Sequence, residues 1–582
     1  MELRTLSGIL RLVLAAAGGY ITNFAFAPYD LWLIAPLGIA ILLFITRDVA
    51  LSSTKAAAVY GFIWGLAFFL PHLDWAEFAV GPAPWILLAG SQGAFMALVT
   101  WVWALMLRYQ FVLLRFSWQA IIFGIFWTAS EELRSNVPFG GFPWGRIAFS
   151  QVDAPAGKLA WLGGAPLVTF VTVVAGAVVG IAAYRVFTTL RLLRRGECAG
   201  LMLVPRTVVV GIAMPVVLLL IGNVITLDNH AENGTLRVGA VQGNVPGQGL
   251  DAFERQRIVL NNHVEETHRL AERGEDLDLV VWPENATDID PQVDAEAYRA
   301  IDAAAAEVDA PLLVGAVRAV GESERINISL LWEAGVGETQ SYIKQHPAPF
   351  GEYIPFRPIA RLVSKEADRI QRDMIGGDEV GVVPLESLRH DREVSLGDVI
   401  CFEVAYDGIV RESIAAGGEL LLVQTNNATF GFTNESVQQL AMTRMRAIEH
   451  GRASLQISTV GVSAMIDPDG TVTHRTGHYT AENMVGDMKL RTTLTPATMF
   501  GNWIAFFFNL TAIVIAAGVF ISFGLRKLLH RTIRKDEEKS RREAKAQQAR
   551  PQDGAGIENK SLTGSGAPRE GRRLRTGDVD AL

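Results

Sequence analysis

The sequence predicts an integral membrane α-helical bundle of about eight spans joined to an α/β domain, and three observations lead there. Half of the 582 residues are apolar although the middle of the chain carries ordinary charge, so the apolar residues must be segregated. Seven apolar segments precede residue 230 and an eighth lies at 499–525. From Thr235 to Met488 short apolar runs alternate with helical stretches, a pattern that gives a sheet covered by helices on at least one face.

The segments lie near 9–27, 31–46, 56–72, 84–107, 117–132, 159–187 and 207–227. A span needs roughly 20 residues to cross about 30 Å of hydrocarbon, so the second, third and fifth are short. The first lacks a small-residue cleavage site and the next follows at once, which argues against a signal peptide. Orientation comes from the Lys and Arg of the short connections. Arg4 and Arg11, Arg47 and Lys55, Arg108 and Arg115, the linker Arg191–Arg206, and Lys527 to Lys535 all fall on one side of an eight-span path. That side is predicted to be cytoplasmic. The chain then divides into a seven-span region (1–230), an extracytoplasmic domain (231–490), an eighth span (491–530) and a basic cytoplasmic tail (531–582). The tail is charged, poor in aromatic and β-branched residues, and predicted to be disordered.

The loop Glu131–Gln151, EELRSNVPFGGFPWGRIAFSQ, is rich in Gly, Pro and aromatics for a connection between spans. Beyond it, TLRVGAVQ, LDLVVWP, PLLVGAV, ISLLWE, VSLGDVI, ELLLVQT, ASLQIST and VSAMID read as strands. Phe253–Arg273 and Ser436–Gly451 read as helices; the second places Val437, Leu440, Ala441, Arg444 and Ile448 on one apolar face.

Three of the expected strand ends carry chemistry. DLVVWPENAT ends at Glu284, SYIKQHPAPFGEYIP carries Lys344 and Glu352, and VICFEVAYD carries Cys401 and Glu403. A carboxylate can take a thiol proton, a fixed ammonium can stabilise the resulting anions, and the thiolate is the nucleophile. His346 also lies beside the lysine, but a loop histidine is more often a surface residue and the Glu–Lys pair already supplies both roles.

WPEN, YIKQHPAPFGEYIP and ICFE, in that order, resemble the Glu-Lys-Cys signature of the nitrilase (carbon-nitrogen hydrolase) superfamily over about Thr235–Met488. The resemblance implies a four-layer αββα sandwich. With the membrane spans it narrows to the apolipoprotein N-acyltransferase family, whose GFPWG-type stretch the 131–151 loop also resembles. That family implies Glu284 as general base, Lys344 as oxyanion partner and Cys401 as the nucleophile that forms a thioester, with Glu352 and Glu403 in support. The implied partners are a phospholipid acyl donor and a diacylglyceryl apolipoprotein acceptor at the bacterial cytoplasmic (inner) membrane. Arg134, Phe142, Trp144, Phe402 and Asn426 are the expected substrate contacts.

The triad alone would equally serve a membrane-tethered amidase or nitrilase, which leaves eight spans and an aromatic loop unexplained. A transporter would mark its path with ionisable residues inside the spans, and these carry few. A net charge of −8 argues against nucleic acid as a partner. Two cysteines cannot build a disulfide framework, and Cys198 stands in the basic linker far from Cys401, so no bridge is expected. No zinc-type spacing, phosphate-binding loop or dinucleotide fingerprint is present, so neither metal nor cofactor is expected. The sequence departs from the family at Phe402 (often Tyr), in QGNVPGQGLDAF (a missing Trp), at Thr429 in TNNATFG (commonly Trp) and in STVGVS at 458–463 (commonly a paired Asn).

Overall fold

The computed structural model describes residues 7–47, 49–107, 116–195, 203–245, 256–287, 289–364, 368, 370–387 and 391–548. Outside them lie Cys198, and with it the expected absence of a disulfide; Arg4, Arg108 and Arg115 of the charge count; the later part of QGNVPGQGLDAF; and the tail beyond Gln548.

Apolar helices follow the expected order. They are α1 (Gly8–Thr22), α2 (Ile34–Thr46), α3 (Thr54–His72), the short α4 (Asp74–Val80), α5 (Pro82–Leu107), α6 (Phe116–Arg134), α7 (Ala160–Leu193) and α8 (Leu203–Leu220). With α14 (Pro496–Gln548), six of the described helices are long and apolar enough to cross a membrane. α2 is shorter, and α6 ends in Glu131, Glu132 and Arg134. Small residues let the helices close up, as is usual where no water drives association. A Cβ on Gly19 would stand 2.0 Å from the Trp64 carbonyl oxygen, and one on Gly61 2.1 Å from Thr100 Oγ1.

The α/β domain contains β1 (Thr235–Gln242), α9 (Gln256–Ala271), β2 (Leu279–Val281), α10 (Ala295–Val308), β3 (Leu312–Val320), β4 (Glu324–Glu333), β5 (Gly337–Ile343), α11 (Arg357–Val363), β6 (Asp373–Met374), β7 (Val382–Ser387), β8 (Arg392–Ile400), α12 (Asp407–Ala415), β9 (Leu420–Thr425), α13 (Glu435–His450), β10 (Ser454–Ser458), β11 (Ala464–Ile466), β12 (Val472–Arg475) and β13 (Glu482–Lys489). One sheet runs β13-β1-β2-β3-β4-β5, with β6 on β4, and the other runs β12-β11-β10-β9-β8-β7. Parallel neighbours β1–β2–β3 and β8–β9–β10 bring the C-terminal ends of β2 and β8 to one edge of the sandwich. The antiparallel hairpin β4–β5 delivers the end of β5.

The sheets pack face to face. Leu236, Val238, Leu279 and Leu313 meet Leu396, Ile400, Leu422 and Leu455 in one core. Leu260 of α9 and Ile301 of α10 cover the outer face of the first sheet. Met442 and Met445 of α13 and Val410 and Ile414 of α12 cover the second, in a core continuous with that of the helical bundle. This is the αββα arrangement expected, with one helical layer wedged against the membrane part.

One expectation is extended and one corrected. α13 forms as expected, with Leu440 and Val437 packed in one cluster, but burial is not confined to one face: of its sixteen residues only Val437 and Arg444 are not buried. A helix held between a sheet and a bundle is buried all round, so its period of burial disappears. The tail is not disordered from residue 531, because α14 continues to Gln548. Between Leu525 and Gln548 the chain has neither Gly nor Pro and is dense in Lys, Arg, Glu and Ala, all good helix formers, with Lys539 and Glu543 paired one turn apart.

Candidate active site

Each of the three strand-end residues leaves a sheet at its C-terminal edge. Glu284 lies three residues beyond β2, Lys344 follows β5 directly, and Cys401 follows β8. Cys401 has φ +57°, a left-handed conformation that is costly for a side chain with a Cβ. The strand thereby breaks into the 3₁₀ turn Cys401–Ala405 with the thiol at its apex.

The structure brings Glu284, Lys344, Glu352 and Cys401 together. Lys344 Nζ donates to Glu284 Oε1 at 3.1 Å and to Glu352 Oε1 at 2.9 Å. The backbone N–H of Asn426 donates to Glu284 Oε2 at 2.8 Å, and the Glu284 carboxylate also meets the Cys401 thiol. Burial raises the Glu284 carboxyl against the pull of Lys344. Burial alone would depress Lys344, but Glu284 and Glu352 overcome it and hold the ammonium well above the usual range. Burial, helped by the charge of Glu284, pushes the Cys401 thiol up, against the opposing effect of Lys344. The resting site is therefore a neutral thiol beside a carboxylate–ammonium pair, with base and proton already adjacent.

Glu403 stands behind this group rather than in it. It is fully buried and accepts from the backbone N–H groups of Ile400 (2.7 Å), Gln345 (2.7 Å) and His346 (3.0 Å) and from the Tyr342 hydroxyl at 3.1 Å. It thus ties the lysine segment to the cysteine turn. Burial lifts its carboxyl to about 7 while Lys344 opposes the rise.

The predicted substrate contacts divide. Phe142, Trp144 and Phe402 form one aromatic wall: Phe402 stacks on Trp144 with centroids 5.3 Å apart and planes 9° from parallel, and Phe142 lies 5.7 Å away. Trp75 extends it, 5.2 Å from Trp144 and from Phe430. The residue after Cys401 is therefore walled by rings from the 131–151 loop. Asn426 reaches the site through its backbone, while its side-chain oxygen accepts from Ala428 N and Thr459 Oγ1. Arg134, expected among the substrate contacts, is turned inward: it is 1 % exposed and Nη1 donates to the carbonyls of Phe142 and Trp144 at 2.9 and 2.7 Å. A guanidinium turned inward supplies carbonyls that an irregular loop cannot satisfy itself.

Further residues complete the site, and of these only His346 was weighed from the sequence. Asn327 donates through Nδ2 to Glu284 Oε1 (2.6 Å) and Glu352 Oε1 (3.1 Å), holding both carboxylates toward Lys344. Its signal was visible, since ERINISLLWE places two polar residues, Asn327 and Ser329, on the inward phase of an apolar strand. Thr425 and Gln439 meet the Cys401 sulfur at 3.7 and 3.8 Å. His346 packs its ring 4.4 Å from Tyr406, whose hydroxyl donates to the Gly141 carbonyl. Arg146 pairs with Glu132 and, at 2.8 Å, with Asp407 at the head of α12; Arg446 joins Asp407 at 2.6 Å and donates to the carbonyls of Val404 and Ala405. The 131–151 loop and the Cys401–Ala405 turn are thus locked by charge as well as by rings. Among the described residues no three His, Cys, Asp or Glu side chains gather closely enough to hold a metal ion.

Comparison with known proteins finds two family profiles in the chain. Residues 18–178 match the apolipoprotein N-acyltransferase N-terminal domain and residues 237–494 the carbon-nitrogen hydrolase domain. The chain is 36% identical over 521 residues to the apolipoprotein N-acyltransferase of Mycolicibacterium smegmatis, covering 87% of this chain and 83% of that one. It is 30% identical over 511 residues to the protein of that name from Azotobacter vinelandii, covering 84% and 92%. Among solved structures, an amidase of the nitrilase superfamily from Nesterenkonia AN1 is 17% identical, covering 47% of this chain and 98% of that one with a TM-score of 0.34.

Proposed function

The chain belongs to the apolipoprotein N-acyltransferase family, and from that premise we propose that it moves an acyl chain from a membrane phospholipid to the α-amine of a diacylglyceryl-cysteine, through a thioester on Cys401. Glu284 takes the thiol proton as the sulfur attacks the ester carbonyl, and Lys344 holds the oxyanion. The tetrahedral adduct collapses, the lysophospholipid oxygen leaves, and Glu284 returns the proton to it. The acceptor enters as a free amine, attacks the thioester, and gives its proton to Glu284; the expelled thiolate takes that proton back. Lys344 remains an ammonium throughout.

The observation that carries this reading is the stack of Phe402 on Trp144. A nucleophile turn walled by rings from a membrane loop suits an acyl chain better than a small amide, and a site that excludes water favours a lipid amine over hydrolysis. The protein is a bacterial membrane protein. We place residues 231–490 on the extracytoplasmic face of the cytoplasmic membrane, on the strength of the Lys and Arg count, with 1–230 and 491–530 as the spans and the basic tail inside.

The test is intact-mass spectrometry of the purified chain in lipid, with phospholipid alone. Wild type is expected to gain an acyl mass that Cys401→Ser and Glu284→Gln do not gain. A diacylglyceryl-cysteine peptide should discharge it with an amide on its α-amine. Absence of any adduct and of any acylated peptide would sink the transferase reading; discharge by water as fast as by peptide would make the enzyme a lipid hydrolase.

A further inference from the structure

Two of the stretches in which the sequence departs from the family pattern, TNNATFG and STVGVS, meet beside Cys401. They are joined there by α13 in a chain of buried hydrogen bonds whose direction can be worked out from one end. The fixed end is the backbone N–H of Gly461, which can only donate. It donates to Ser458 Oγ at 2.8 Å. The single proton of Ser458 is then free for Asn427 Oδ1, 2.5 Å away.

With its oxygen committed, Asn427 must turn Nδ2 the other way. It donates to Glu435 Oε2 at 2.6 Å and to Gln439 Oε1 at 3.0 Å. The Thr425 hydroxyl donates to that same Gln439 oxygen at 2.8 Å, an independent vote for the same orientation. Gln439 therefore presents Nε2, and not Oε1, to the sulfur of Cys401 at 3.8 Å. Thr425 has spent its only proton on Gln439, so of these two neighbours the amide is the donor to sulfur. Asn427, Gln439 and Ser458 are fully buried and Glu435 is 2 % exposed, so water does not compete for these bonds. Gly461 has no room for a side chain: a Cβ would stand 2.1 Å from Asn427 Oδ1 and 2.4 Å from Ser436 Oγ.

We propose that Gln439 is a further catalytic residue, whose amide N–H stabilises the Cys401 thiolate, and that Asn427, Glu435 and Ser458 are positioning residues that fix the polarity of that donor. The thiolate appears twice in each turnover, when Glu284 removes the proton and when the attacking amine expels the sulfur. A pre-aimed donor lowers both barriers without reorganising. It is distinct from Lys344, which serves the carbonyl oxygen. The inference rests on Cys401 being the nucleophile, and on no particular acyl donor or acceptor.

The experiment is alkylation of Cys401 by iodoacetamide in the full chain held in lipid, followed by intact mass from about pH 6 to about pH 10, where the thiolate fraction sets the rate. Gln439→Glu keeps the shape but turns an acceptor to the sulfur. It should slow alkylation about tenfold at each pH in that range, all of which lies below the midpoint of a thiol that burial holds up. Gln439→Met, which supplies no donor and keeps the volume, should move the profile the same way by less, and gives the answer if the buried charge of the first variant prevents folding. The Glu435 carboxyl also faces Cys401 and helps to hold the thiol up, and burial lifts it to about 8, so Glu435→Gln, which removes that charge but keeps an acceptor for Asn427, should quicken alkylation, while Glu435→Met, which removes the same charge and also releases Asn427, should alkylate more slowly than Glu435→Gln. Profiles for both Gln439 variants that superimpose on wild type would overturn the proposal. Alkylation needs no lipid substrate, so a shifted profile with no acyl adduct would keep this inference and reject the acyl-transfer reading, and the converse would do the reverse.

Discussion

Asp398 and Asn327 are both polar residues sunk between the sheets, and the contrast between them shows what a buried polar group is for. Asn327 spends its amide on two carboxylates of the site. Asp398 is fully buried and has only weak contacts, to Ser329 and the Val399 backbone. Burial, with the charge of Glu403 nearby, pushes it from 3.8 to about 7. The folded chain therefore keeps a proton there that the unfolded chain gives up near pH 4. Stability from this proton is complete below about pH 4 and is lost as pH rises through about 7. Asp398→Asn has no such loss. Its melting temperature in detergent should match wild type near pH 4 and exceed it by a margin that grows to a plateau above about pH 8, worth about 4 kcal/mol at 1.36 kcal/mol per unit. A constant difference across that range would show that the carboxyl is ionised in the fold throughout. Glu403, also raised to about 7, titrates in both proteins, and loss of the neighbouring Asp398 charge lowers its carboxyl in the variant, which moves the margin in the same direction.

Between elements, the decisive contact is the one between the 131–151 loop and the 3₁₀ turn after β8. Arg146 sits there between Glu132 and Asp407, 1 % exposed. Arg146→Met would leave two buried carboxylates without their cation, and breaking a buried pair from one side costs about 3–5 kcal/mol. The variant should melt far below wild type, while Arg146→Lys, which keeps the charge but not the fork, should fall between. Equal melting of all three would show that the ion pairs do not hold the loop. None of this was legible in the sequence. The place of Glu284, Lys344 and Cys401 at strand ends was, because each follows an apolar run, and strands announce their ends. Arg134 was expected among the substrate contacts, and Arg146 was given no partner, because a loop sequence does not say which way its backbone folds. Gln439 was hidden for another reason: it lies on a helix buried on every side, where polar spacing no longer separates the solvent face from the site.

Over the whole molecule, the apolar segments gave the bundle and the strand runs gave the sandwich; the layer order came from the family resemblance. The sequence missed that α13 and the bundle share a core, since contacts between segments 300 residues apart leave no periodic trace. Orientation is the prediction that belongs at this scale. A reporter fused after Asp228 should be active only outside the cytoplasm, and one fused after Gln548 only inside it. The opposite pattern would invert the topology and with it the lipid leaflet from which substrates come. The stack of Trp144 on Phe402 has a last consequence, which concerns inheritance. The two halves match separate family profiles, as though they were parts that evolution could exchange. Yet the wall beside the nucleophile is half encoded before residue 150 and half after residue 400, so a chimera that joins this catalytic half to a foreign bundle would carry an intact triad beside a mismatched wall. The halves match separate profiles, yet they share one core and one wall.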